Sequence, residues 1–205
     1  MTKFTLACVC AAVFTAAIAA QQPQSFYDLK TKSLDGKAAD LAHYKGKVSL
    51  VVNVASKCGY TPQYEGLEKL QREMKGKAFN VLGFPSNDFG GQEPGTAAEI
   101  QTFCTTSFGV KFPMFSKISV VGIGKHPLYR ALISAQPRAI SVSQPSWRAK
   151  LKGYGIETTS EPEILWNFEK FLINRNGEVV ARFAPDTQPD APELVSAIEK
   201  QLNNE

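Results

Sequence analysis

The sequence predicts an α/β fold, a mixed central sheet flanked by helices, with a β-hairpin ahead of it. Three observations carry that expectation. Residues 47–54, KVSLVVNV, form a near-continuous β-branched and apolar run of the kind needed by a central strand buried on both faces. Beyond it, Tyr64, Leu67, Leu70 and Met74 recur at helical spacing, and residues 78–84 make a second apolar run. Near the end of the chain Asn176-Gly177 stands between two further apolar runs, a strong hairpin signal.

The elements follow in order. Residues 25–37 read as a small hairpin with Asp35-Gly36 as its turn. The strand over 47–54 leads into a helix for which Thr61 offers the N-cap and Pro62 the first helical residue, and which Gly76 stops. The strand over 78–84 ends at Pro85. Thr96-Ala97-Ala98-Glu99 is a capping box, and Ile100, Phe103, Cys104 and Ser107 share one face of the helix it opens. A further helix spans 126–135. Residues 136–163, rich in Pro, Ser, Lys and Gly and without a clear period, read as a long surface insertion. Strands over 168–174 and 178–183 flank the Asn-Gly turn, and Asp190-Ala191-Pro192-Glu193 caps a last helix. Strand–helix–strand, a helical connection, then hairpin and helix is the order of a thioredoxin-like fold.

Length and composition bound the function. With 205 residues and 43% hydrophobic content, one domain buries an ample core. Lys and Arg number 23 against 19 Asp and Glu, a net charge of +4 with both signs scattered. No basic run interleaved with aromatics appears, which argues against a nucleic-acid partner. Residues 1–20 differ from the rest: Lys3 gives a positive start, residues 6–18 are apolar or small, and Ala17-Ile18-Ala19 supplies an A-x-A cleavage pattern. That is the pattern of a secretory signal peptide, too short to span a bilayer comfortably, which predicts a secreted or periplasmic domain over 21–205 and no integral membrane segment. An uncleaved N-terminal anchor is the competing reading. Cleavage leaves Cys58 and Cys104, an even pair that in an exported protein first suggests a structural disulfide.

Cys58 stands where the first long strand ends and a helix begins, the rim at which open α/β sheets bind their ligands. Unpartnered N–H groups and the helix dipole favour a thiolate there, so its pKa is expected to fall. Thr61 follows at the place where a CxxC motif has its second cysteine, so a thiol–disulfide oxidoreductase is disfavoured. An inert buried cysteine is the plain alternative. Two other stretches sit near strand ends. FPSNDFGGQEPG, residues 84–95, carries Gln92 after a Gly-Gly pair, and ILWNFEKFL, residues 164–172, carries Trp166 and Asn167. Their amide and indole N–H groups are the neutral donors that would steady a thiolate without quenching it, although Trp166 equally suits a core aromatic. His43 and His126 lack clustered ligands, so no metal site is expected.

NVASKCGYTPQYEGLEKL, FGGQEPG and WNFEKFLINRNGEVVARF together resemble the three signature regions of the glutathione peroxidase family, and the likeness runs over residues 25–203. The resemblance implies a thioredoxin-like fold, reduction of H2O2 or organic hydroperoxides, no bound cofactor, and an external thiol reductant. It implies Cys58 as the peroxidatic residue, with Gln92, Trp166 and Asn167 completing the family's catalytic tetrad. Selenium-containing members carry selenocysteine where Cys58 stands. Asp88 replaces a common glutamine and Ser86 a plant-type cysteine. Cys104 matches the resolving cysteine of thioredoxin-dependent members, which implies a thioredoxin-like dithiol as reductant ahead of glutathione. The 136–163 insertion resembles the longer loop of oligomeric members and so implies a homo-oligomer. The expected chemistry is a Cys58 sulfenic acid followed by a Cys58–Cys104 disulfide, for which the helix over 96–107 must partly unwind. A non-catalytic redox sensor of the exported compartment is the alternative from a different class.

Overall fold

The computed structural model describes residues 25–141 and 146–204, and the expected signal over residues 1–20 lies outside them. The N-terminal hairpin pairs β1 (Lys30–Lys32) with β2 (Ala38–Asp40), and its turn lies at Asp35-Gly36, with Gly36 at φ +83°. It starts later than expected because Phe26–Asp28 forms a short 3-10 turn capped by Ser25. A strand would send Phe26 and Tyr27 to opposite faces, whereas the turn buries both rings. The hairpin is held to the domain where Leu34 N–H donates to the Met114 carbonyl at 3.1 Å and Ser116 N–H to that of Lys32 at 2.9 Å.

The main sheet contains β3 (Val48–Val54), β4 (Phe79–Pro85), β5 (Lys170–Ile173) and β6 (Val179–Phe183) in the order β4-β3-β5-β6. β3 runs parallel to β4 and antiparallel to β5, and β5 pairs antiparallel with β6. All of β3 is buried, as its composition requires. The helices are α1 (Gln63–Glu73), α2 (Ala97–Phe108), α3 (Pro127–Ala135), α4 (Ser146–Gly153) and α5 (Pro192–Asn203). α1 packs on β4 and α2, and α5 on β3. This is a thioredoxin-like fold. One chain of ring contacts joins Phe115, Phe84, Tyr129 and Phe171; another joins Phe168, Tyr64, Phe108 and Phe103. Gly83 lies where the 112–114 segment crosses β4, and a Cβ there would meet Met114 Sδ at 2.5 Å, so a larger residue would have to push the Met114 side chain aside.

Local expectations hold where burial and pattern agree, and Thr61 departs from them because its hydroxyl has other partners. Thr96 and Glu99 form the expected capping box of α2. Ile100 and Cys104 face the core, but Ser107 is exposed and not on the buried stripe. Thr61 does not cap α1: its Oγ1 accepts from Cys58 N–H and donates to the Ala55 carbonyl, both at 2.9 Å, and the helix starts later, with Pro62 in the cap position. Ala191, not Asp190, precedes the first turn of α5.

The 136–163 insertion is not featureless, for it contains α4, and both of its ends are anchored by a buried side chain. Arg182 on β6 is 1% exposed. Its Nε donates to the Glu169 carboxylate, Nη1 to the carbonyls of Gln136, Pro137 and Pro162, and Nη2 to that of Glu163 at 2.6 Å. A guanidinium suits this place because five donors in one plane satisfy carbonyls arriving from two directions. Replacing Arg182 with Leu strands the Glu169 charge and those carbonyls, so we expect a loss of about 3–5 kcal/mol. Urea unfolding measures it, and protease cleavage within the insertion should accelerate.

Candidate active site

Cys58 lies four residues beyond β3, 8% exposed, in a loop closed by the Thr61 hydroxyl and by Thr61 N–H donating to the Cys58 carbonyl at 3.0 Å. Tyr60 N–H reaches its sulfur at 3.3 Å. The polar groups of Trp166 and Asn167 lie beside the same thiol, where they favour its ionised form. Asn167 Nδ2 also donates to Gln92 Oε1 at 2.9 Å, and Lys57 N–H donates to the Gln92 carbonyl at 3.0 Å. The structure thus gathers Cys58, Trp166, Asn167 and Gln92 at one strand-end rim, with Gln92 reaching the cluster through Asn167 and Lys57.

Each donor is delivered by its own piece of backbone. Gly90 and Gly91 both adopt left-handed conformations, φ +61° and +64°, and this double bend presents Gln92. Upstream, Asp88 fastens the loop by accepting from Ser86 and Ser119 hydroxyls and from Val120 N–H at 2.5 Å. Trp166 packs against Phe89 with ring centroids 5.1 Å apart. Asn167 is fully buried. Its segment is held by Asn53 on β3, whose Nδ2 donates to the Trp166 carbonyl at 3.0 Å and whose Oδ1 accepts from Glu169 N–H at 3.1 Å. Glu169 in turn accepts from Leu165 N–H at 2.5 Å. Sequence reasoning missed Asn53, Glu169 and Lys170. Their signal was polarity inside otherwise apolar runs, at positions where a strand buried on both faces should carry none.

The expected fall in the Cys58 pKa is not what the geometry produces. Burial pushes the thiol up, opposed by the Tyr60 N–H and by Trp166 and Asn167. α1 begins only at Gln63, so its free N–H groups do not converge on the sulfur, and one backbone donor does not offset the lost hydration.

Cys104, on α2, is fully buried and stands outside the cluster; both cysteines are free. Burial pushes its thiol up to about 11, opposed by the neighbouring Tyr64 hydroxyl, with the nearby Glu93 charge adding to the rise. A cavity of about 310 Å³ opens between the two cysteine-bearing segments, lined among others by Ser56, Lys57, Glu93, Ile100 and Phe103. Among the described residues no group of three or more His, Cys, Asp and Glu side chains is placed to hold a metal, and His126 instead caps α3. No helix among them is long and apolar enough to cross a membrane.

Alkylation of reduced Cys58 by iodoacetamide should keep accelerating past about pH 8.5 instead of levelling near neutrality. Asn167→Ala removes a donor and should move that profile to still higher pH; mass spectrometry of the labelled peptide reads both.

Residues 26–133 match the sequence profile of glutathione peroxidase. The thioredoxin/glutathione peroxidase BtuE of Escherichia coli (strain K12) is 49% identical over 171 residues, 83% of this chain and 93% of the relative. The hydroperoxy fatty acid reductase gpx1 of Synechocystis sp. is 42% identical over 184 residues, 89% of this chain and 99% of that one. The solved structure of Trgpx in apo form superposes with a TM-score of 0.64 at 36% identity, covering 88% of this chain and 97% of its own. Identity sustained at this level along almost the full length of such relatives shows that the chain belongs to the glutathione peroxidase family and is a peroxidase.

Proposed function

We propose that this peroxidase reduces H2O2 and organic hydroperoxides through Cys58, with Gln92, Trp166 and Asn167 as the other members of its catalytic group. The observation that carries the reading is a buried thiol with the Trp166 and Asn167 polar groups beside it while Asn167 also holds Gln92. The Cys58 sulfur attacks one peroxide oxygen and the O–O bond breaks. The sulfur is oxidised to a sulfenic acid, and its proton ends on the leaving oxygen, which departs as water or an alcohol. Donors already in place stabilise the charge that develops on sulfur and oxygen as the bond breaks. The names of two relatives support the substrate and reductant classes: one is a hydroperoxy fatty acid reductase, the other a thioredoxin/glutathione peroxidase.

Cys104 is the resolving residue in this reading. Its thiol condenses with the sulfenic acid, forming the S–S bond and releasing water, and an external dithiol then reduces the disulfide by exchange. Both thiols are free and Cys104 is fully buried in α2, so in this reading that helix must open first. A thioredoxin-like dithiol is the preferred reductant and glutathione the second. Residues 1–20 act as an export signal, placing the domain over 21–205 in a secreted or periplasmic setting.

Steady-state turnover of the mature protein with H2O2 or an alkyl hydroperoxide, comparing thioredoxin and glutathione, tests the whole reading; oxidation that stops after one equivalent would make the protein a sensor. Cys58→Ser should abolish turnover. Gln92→Ala and Asn167→Ala should each slow Cys58 oxidation by about 10²-fold. Cys104→Ser should keep the first oxidation but lose thioredoxin-dependent cycling, and amide exchange in α2 should quicken on oxidation of the wild-type chain.

A further inference from the structure

We propose that Lys170 is a positioning residue for the peroxidase site: its amino group fixes the left-handed turn at Phe168 and so aims Trp166 and Asn167 at the Cys58 thiol. This rests on the reading of Cys58 as the peroxidatic residue.

Among the described residues Phe168 is the one non-glycine residue with positive φ, at +67°. A bulky side chain avoids that region, so the turn persists only where its surroundings over-determine it. The turn directly follows Trp166 and Asn167, and if it relaxed to an ordinary extended conformation both side chains would swing away from Cys58. Two polar contacts and one packing contact hold it. Phe168 N–H donates to the Asn53 carbonyl at 2.6 Å, its carbonyl accepts from Lys170 Nζ at 2.7 Å, and its ring meets Tyr64 edge-on at 5.4 Å.

Lys170 has no packing reason to be a lysine. It is fully buried in β5, between Val52 and Phe183 on the flanking strands, and is followed by Phe171, Leu172 and Ile173. An apolar residue would fit that pattern without desolvating an amine. What the amine gains is two backbone carbonyls, Phe168 at 2.7 Å and Pro185 at 3.4 Å. The Pro185 carbonyl also accepts from Gln63 Nε2 at 2.8 Å, and Gln63 is the first residue of the helix that follows Cys58. Lys170 therefore links the loop carrying Trp166 and Asn167 to the segment carrying the thiol. Burial pulls its pKa down against Asp186 and Glu169, but both protonation states retain N–H donors for the Phe168 carbonyl.

The experiment is a double-mutant cycle read by single-turnover oxidation of Cys58 with H2O2, with Trp166 emission recorded in a Trp147→Phe background. Lys170→Met should slow oxidation about tenfold or more and shift the emission of Trp166. Phe168→Gly accepts the left-handed conformation without help, so in that background the same substitution should cost less than about threefold. An equal loss in both backgrounds assigns Lys170 to general stability and overturns the proposal; so does wild-type oxidation by the Lys170→Met chain. If the Met chain does not fold, Lys170→Gln takes its place with the same outcomes. Cys58→Ser separates the two layers: turnover surviving in that variant would sink the site itself, whereas a dead Cys58→Ser beside an unimpaired Lys170→Met would sink only the role of Lys170.

Discussion

Asn53 joins the two halves of the site, and the rest of the arrangement depends on that junction. It lies on β3, five residues before Cys58, so its position is set by the same strand that delivers the thiol. Its carboxamide bonds the Trp166 carbonyl and the Glu169 N–H, and its backbone carbonyl takes the Phe168 N–H. One residue of the central strand thus fixes backbone groups of three residues, Trp166, Phe168 and Glu169, in a segment more than a hundred residues away in sequence. Because all these atoms are buried, each bond is worth more to retain than its net contribution to folding suggests: losing one partner leaves the other desolvated and unpaired, at about 1–3 kcal/mol. That penalty keeps the register between the two halves from slipping.

The charged residues behind this junction follow the same logic. Glu169 and Arg182 are both fully buried, an arrangement that an apolar pair of similar volume would match or better for stability alone. What the pair supplies is direction. One carboxylate oxygen of Glu169 takes the Leu165 N–H, just ahead of Trp166, and the other takes Arg182 Nε. The guanidinium then gathers both ends of the 136–163 insertion. The insertion, the β5–β6 hairpin and the site are in this way one hydrogen-bonded body, so the insertion bears on the site through its anchoring at Arg182.

Much of this architecture could be read from residue pattern. The strands β3 and β4, the α2 capping box, the Asn-Gly hairpin and the meeting of Gln92, Trp166 and Asn167 near Cys58 all follow from burial period, turn chemistry and strand-end position. The failures share one physical cause. Thr61 and the Glu169–Lys170–Arg182 group are polar residues whose partners are distant in sequence or in backbone that bends unexpectedly. Local rules assign a threonine before a proline to a helix cap, but the Ala55 carbonyl and Cys58 N–H are better placed partners. Likewise an 8-residue helix such as α4 has too few turns for a period to emerge from a Pro- and Ser-rich background.

The pKa of Cys58 is where pattern and structure pull apart most sharply, and the structure changes the chemical argument. A helix-start thiolate would be reactive because it is ionised before the peroxide arrives. The observed thiol is buried, and burial raises its pKa despite the Tyr60 N–H and the polar groups of Trp166 and Asn167 beside it. If Cys58 is the attacking residue, as proposed above, reactivity must come from the way charge is handled as the O–O bond breaks. In that proposed step the proton of the attacking sulfur would neutralise the departing oxygen, so no standing charge would be needed in a dry site. Donors that contribute modestly to a neutral thiol gain strength as negative charge grows on sulfur and oxygen, because a low-dielectric surrounding magnifies an interaction it cannot screen. On this account the neutrality of Trp166, Asn167 and Gln92 is a requirement. A lysine in their place would stabilise the resting thiolate as much as the transition state and so gain binding without rate.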